Sequence, residues 1–172
     1  MTLARRATVA ILVAYTAWLV LAYRYHFIDG VNLLVHEAGH LVFAPLGQTF
    51  SMLGGTLLQL AFPLAFVVYF ARRGQPFEAG VCGVWAAESG MYTATYMGDA
   101  NALALPLVGG HLHDWRWLFQ RAGVLDTAEE IGVAVHALAS LGAIVAVWTA
   151  ARSVVPRANA GSAGDERSGA TS

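Results

Sequence analysis

Apolar residues in this chain come in long blocks separated by short polar breaks. The first block runs from about Ala7 to Tyr23 behind Arg5 and Arg6. It is long enough to span a hydrocarbon core, and Trp18, Tyr23 and Tyr25 crowd its far end as an interfacial belt. Val20-Leu21-Ala22 also suits a leader-peptide cleavage site, so the block reads as a retained span or as a leader. The aromatic cluster and the helices that follow at once favour the span. A second block, Val31 to Leu46, has Asp29 as its expected N-cap and Pro45-Leu46-Gly47 as its stop. With about sixteen residues it measures about 24 Å, short of a full crossing.

Phe50 to Phe70 is the third block, opened by Gly54-Gly55. Pro63 removes the hydrogen bond that the Gln59 carbonyl would otherwise accept, so one amide side chain and one freed carbonyl share a face. They serve either as a helix–helix contact or as a surface for an extended peptide. After the turn Arg72-Arg73-Gly74, a fourth block from about Phe77 to Met97 carries Glu88 near its middle. A turn-rich loop leads to His111-Leu112-His113-Asp114-Trp115, where Asp114 is expected to cap a short amphipathic helix, Trp115 to Arg121, suited to a membrane surface. The last block starts at Asp126 or Thr127 and ends near Arg152. Residues 157–172 are too poor in apolar side chains to fold and are expected to form a disordered tail. The pattern therefore predicts an all-α polytopic membrane bundle in one domain, residues 1–156, with about four full spans and one short helix.

Composition sharpens this reading. Only 12% of residues are charged, about half the share of a soluble domain, and the net charge of -1 leaves no nucleic-acid footprint. An integral, multi-pass protein of a bacterial-type cell membrane is expected, with the lipid bilayer as a partner. Alternating crossings would put Arg5, Arg6, Arg116 and Arg121 on one side and Arg24, Arg72, Arg73, Arg152 and Arg157 on the other. Such a split does not fix orientation. The single cysteine, Cys82, excludes an intrachain disulfide.

The candidate chemistry lies in the short helix, which reads His36-Glu37-Ala38-Gly39-His40. Residues four apart share a helix face, so His36 and His40 can point at one ion, expected to be Zn2+. Glu37 then stands beside the ion without binding it, where a base that activates water belongs. Gly39 lets another backbone approach closely. A catalytic zinc takes three protein ligands and keeps one position open. Candidates for the third are Glu88, Asp99, His111, His113, Asp114 and His136. Asp99 is favoured, ahead of His113 and then Glu88, because its polar loop returns to the end of the bundle where the short helix stops. His136, alone on an apolar helix, reads as a satisfied core histidine.

With these residues in view, the chain resembles the intramembrane zinc metalloproteases of the site-2 protease kind, as a small, membrane-only member. The resemblance rests on His36-Glu37-x-x-His40 in an early membrane helix and on an acidic residue, Asp99, after a later one. It departs from that family at Met97-Gly98-Asp99-Ala100, where an Asn-Pro-Asp-Gly or Leu-Asp-Gly segment is usual. It implies a peptidase for membrane-embedded peptide or protein substrates, with His36, His40 and Asp99 on zinc, Glu37 as general base and then acid, and Gln59 holding the substrate strand. The rivals are a non-catalytic metal-binding or metal-transport protein, with Glu88 and His136 along a path, and a structural membrane protein.

Overall fold

A computed structural model describes residues 3–107 and 112–155. Among them the fold is all-helical: α1 (Leu3–Ala22), α2 (Phe27–Phe43), α3 (Gln48–Arg72), α4 (Pro76–Gly98), α5 (Asp114–Ala122) and α6 (Ala128–Val154). The expected tail and His111 lie outside the described residues.

Three segments are long and apolar enough to cross a membrane: Leu3–Ala22, Gln48–Arg72 and Leu125–Val154. Their outward faces are apolar; on α6 alone Leu138, Leu141, Ile144, Val145 and Trp148 are exposed, a surface that suits lipid rather than water. Four helix ends carry an arginine over an aromatic ring, such as Arg73 at 4.7 Å from the Tyr69 ring and Arg152 at 4.5 Å from that of Trp148. Interfacial aromatics and snorkelling arginines have this arrangement.

The expected fourth span, α4, is not among the three. It is the central helix, packed against α6, α3 and α1, with Ala79, Gly80, Val84, Ala87, Glu88, Ser89, Gly90, Met91, Thr93 and Ala94 buried. A helix enclosed by other helices meets protein on most sides, so it carries small and polar residues where a lipid-facing helix needs large apolar ones. Its seam with α6 shows why: a Cβ on Gly80 would lie 2.7 Å from the Ala146 carbonyl oxygen. Larger residues there would force the two backbones apart.

The short second helix differs from expectation in its direction. Arg5 pairs with Glu78 and lies over the Phe77 ring, and Leu19 shares a core with Val84 and Met91, so α1 runs parallel to α4. Along α2, Asn32 bonds Glu88, His36 joins Gln59 beside Ser89 and Thr93, and His40 reaches Asp114 beside Tyr96. Thus α2 starts beside Glu88, halfway along α4, and continues in the direction α1 was taking. It does not cross back. Arg5, Arg72, Arg73 and Arg152 therefore gather at one end of the bundle, since the start of α4 meets both Arg5 and the end of α6. Arg116 binds the Ala100 and Asn101 carbonyls at the opposite end. The even split of arginines expected from alternating crossings does not hold.

The N-cap of α2 is His26, not Asp29. Asp29 is the third helical residue, and its carboxylate accepts the His26 backbone N–H at 2.7 Å, the reciprocal half of a capping box.

Candidate metal centre

The buried stripe of α2 holds Asp29, Asn32, His36 and Gly39, three or four residues apart, as one face of a helix requires. Gly39 presses against the start of α3, where a Cβ on it would come within 2.2 Å of the Gly54 carbonyl oxygen. A Cβ on Gly55 would lie 2.5 Å from His36 Nε2. Three glycines thus let two backbones touch and leave the His36 ring lying on bare backbone.

Both histidines of the motif converge on one carboxylate. Asp114 Oδ2 lies 2.9 Å from His36 Nε2 and 3.2 Å from His40 Nε2. The other nitrogen of each ring also faces an acceptor: His36 Nδ1 meets Gln59 Oε1 at 3.0 Å, and His40 Nδ1 meets the Ser51 carbonyl at 2.7 Å. The Gln59 amide is fixed in this sense because its Nε2 donates to the Ser89 carbonyl, Ser89 Oγ and Thr93 Oγ1. A neutral imidazole has one N–H, so neither ring can satisfy two acceptors while neutral. A positive charge must stand between each Nε2 and the carboxylate, supplied by a second proton or by a metal ion.

The donor set fits zinc. Bonds of about 2.0–2.1 Å in a tetrahedron hold ligand atoms roughly 3.3 Å apart, close to the separations seen here. The Nδ1 contacts to Gln59 and Ser51 are of the kind that orient a metal-binding imidazole and leave its Nε2 free for an ion. Burial works to raise the Asp114 pKa, but hydrogen bonds from His36 and His40, with their charge, outweigh it and hold the carboxyl below its ordinary value.

Asp114 reaches the site because His113 takes the role expected of it. His113 is the N-cap of α5, its Nδ1 accepting the Arg116 N–H, so Asp114 falls in the first turn with its side chain free. The Asp114 N–H donates to Tyr96 Oη at 3.1 Å, and Trp115 Nε1 donates to Thr56 Oγ1 beside Gly55. These bonds seat α5 on α3 and α4.

Asp99, favoured as the third ligand, is not brought to the histidines. It is the C-cap of α4, and its carboxylate accepts the Ala104 and Leu105 N–H groups at 2.8 and 3.1 Å, bracing the loop. His113 stacks on Tyr96 with its Nε2 3.7 Å from Asp99, and Glu88 lies with His26 and Asp29. His136, half-buried, has its Nε2 3.4 Å from the Val20 carbonyl between α6 and α1, away from both groups of possible ligands. Gln59, expected to hold a substrate strand, is only 2% exposed, faces His36 and is not among the residues lining the cavity. The carbonyl that Pro63 frees on Gln59 accepts Ser89 Oγ at 3.3 Å, the helix–helix contact of the two readings. Asp114, Tyr96 and Ser51 are the site residues that sequence reasoning placed elsewhere or passed over.

The site opens on a cavity of about 350 Å³, whose lining includes Glu37, His36, His40 and Asp114 together with apolar residues such as Leu33, Met52 and Leu107. Comparison with protein-family models, curated proteins and solved structures finds nothing that matches the chain.

Asp114→Ala should strip zinc from the histidine pair, whereas Asp99→Ala should leave it bound. Gln59→Leu, which removes only the outer hydrogen bond, should weaken zinc by about 10–100-fold. Zinc titration against a competing chelator measures all three, and zinc lost with Asp99→Ala but kept with Asp114→Ala would overturn the assignment.

Proposed function

We propose that this protein is a zinc-dependent intramembrane peptidase that hydrolyses peptide bonds of membrane-embedded substrates, akin to the site-2 protease kind. One observation carries the reading: His36, His40 and Asp114 converge at a cavity whose wall also carries Glu37. Zinc held by those three would supply an acidified water and a charge that polarises the scissile carbonyl. Glu37 accepts the proton of the attacking water and returns it to the leaving amine. Asp114 and the two imidazoles keep the site anchored, and Gln59 and Ser51 keep both imidazoles turned toward it. The apolar residues of the cavity lining receive a hydrophobic side chain of the substrate and exclude bulk water from the hydrolytic step.

In this reading the chain is a multi-pass protein of a bacterial-type cell membrane, with α4 crossing as the central fourth span inside the bundle. Arginines gathered at one end favour that end in the cytoplasm. The metal site then sits toward the outer half, nearer the end where α5 lies. A non-catalytic metal-binding or metal-transport protein is the second reading, favoured by a further group of possible ligands, His26, Asp29 and Glu88, lower on the same α2 face.

Two outcomes follow. Glu37→Gln keeps side-chain shape and leaves the ligands intact, so zinc content should persist while cleavage of a membrane substrate falls by about 10²–10⁴-fold. Cleavage at the wild-type rate would remove the peptidase mechanism, and unchanged metal transfer without any cleavage would favour the carrier. Separately, a reporter fused to the C-terminus, beyond the arginine-rich end of α6, should report the cytoplasm. A periplasmic signal would reverse the orientation.

A further inference from the structure

A second buried polar group lies on the same helix face, at the opposite end of α2 from the histidine pair. Asp29 and His36 are seven residues apart, about 10 Å along the helix axis. His26, Asp29 and Glu88 each offer a ligand atom, all within 4.8 Å of one another. Asp29 and Glu88 are both fully buried. His26 is the only basic side chain within salt-bridge distance of either carboxylate among the described residues, and the chain contains no lysine.

The two carboxylates are not equally served. Asp29 accepts Tyr23 Oη and the His26 N–H, and it sits at a helix N-terminus where negative charge is favoured. Glu88 lies in mid-helix. Its Oε2 accepts Asn32 Nδ2 at 2.8 Å, and Asn32 is itself fixed by Trp85 Nε1 at 2.9 Å. Its Oε1 is buried with no hydrogen-bond partner and faces His26 Nε2 across 3.8 Å. A buried carboxylate oxygen left without a partner is costly, and a neighbouring carboxylate adds to the cost. Tyr15 Oη hydrogen-bonds His26 Nε2, while His26 Nδ1 lies 2.7 Å from Asp29 Oδ2, so the one imidazole faces Asp29 with one nitrogen and Glu88 with the other.

We infer that His26, Asp29 and Glu88 form a second metal site, which holds a divalent cation of the zinc type as a structural link between α2 and α4. A 2+ ion neutralises the two carboxylates and gives Glu88 Oε1 the partner it lacks. One imidazole with two carboxylates suits zinc and neighbouring divalent transition metals; soft Cu(I) is disfavoured because no thiolate is present in the group. The ion ties the first turn of α2, where the chain leaves α1, to the middle of the central helix. This site is independent of the peptidase reading, since none of its residues lines the cavity beside Glu37. The competing account is a proton on Glu88, shared toward Asp29, with no metal at all.

The experiment uses full-length protein without a histidine tag, equilibrated with chelator-buffered zinc, and reads metal content and thermal unfolding together. Wild type should hold about two zinc ions per chain, and the double variant His36→Ala/His40→Ala should keep about one. In that double variant zinc should raise the unfolding temperature by about 5 °C or more over chelator-treated protein. Adding Glu88→Gln should abolish both the remaining zinc and the shift. Should the triple variant fail to fold, the double variant alone decides, because its Glu88 is native. One zinc in wild type and none in the double variant, with no shift, overturns this site and leaves the first intact. One zinc that survives in the double variant and is lost with Glu88→Gln supports this site and removes the first.

Discussion

The candidate site depends on how closely α2 and α3 approach at Gly39, Gly54 and Gly55. Any side chain at these positions would meet backbone or the His36 ring inside van der Waals contact. Because the helices touch there, His36 Nδ1 reaches Gln59 and His40 Nδ1 reaches Ser51, both on α3. Those contacts turn both Nε2 atoms away from α3 and toward the place where α5 delivers Asp114. An added methyl group at this seam would cost about 1–3 kcal/mol of overpacking. It would also move the ligands relative to one another, which matters more to a metal that needs them a few tenths of an ångström from ideal.

A second constraint follows from the enclosed central helix. Gln59, Ser89, Thr93, Asn32 and Glu88 would be expensive in contact with lipid, yet here they are partnered across helix interfaces. Each hydrogen bond contributes only about 1 kcal/mol net, but a missing partner costs about 1–3 kcal/mol, so the network specifies register more than it adds stability. Glu88 Oε1 is an exception within it. The polar interior that excludes α4 from the most apolar helices is thus the same interior that orients the candidate metal ligands.

Much of the fold was legible from the chain, because apolar blocks and their breaks are local signals. The bounds of α3, α4 and α6 fall within a few residues of where the breaks put them, and the short helix ends beside Pro45 as expected. Direction was not legible. Nothing local distinguishes a helix that returns from one that starts halfway along its neighbour, and the arginine split failed on that point. Within the site, His36, Glu37 and His40 share one helix, so their spacing alone placed them together. The third carboxylate comes from a distant segment, and there the sequence offered two aspartates in one loop. Asp99 was read as the ligand, and Asp114 as a helix cap that also stood among the ligand candidates. The deciding feature was His113, which is able to cap α5 itself and so releases its neighbour. Gln59 was expected to hold a substrate strand, but its partner is an imidazole, a contact that only the packing of α2 on α3 creates.

The central claim is that His36, His40 and Asp114 hold one zinc ion at the mouth of the cavity. Anomalous diffraction at the zinc edge, from crystals of zinc-loaded protein, tests it most directly. The account predicts a peak about 2.0–2.2 Å from His36 Nε2, His40 Nε2 and an Asp114 carboxylate oxygen. A peak bound by Asp99 instead, or no peak between the two histidines in protein shown to contain zinc, would contradict it.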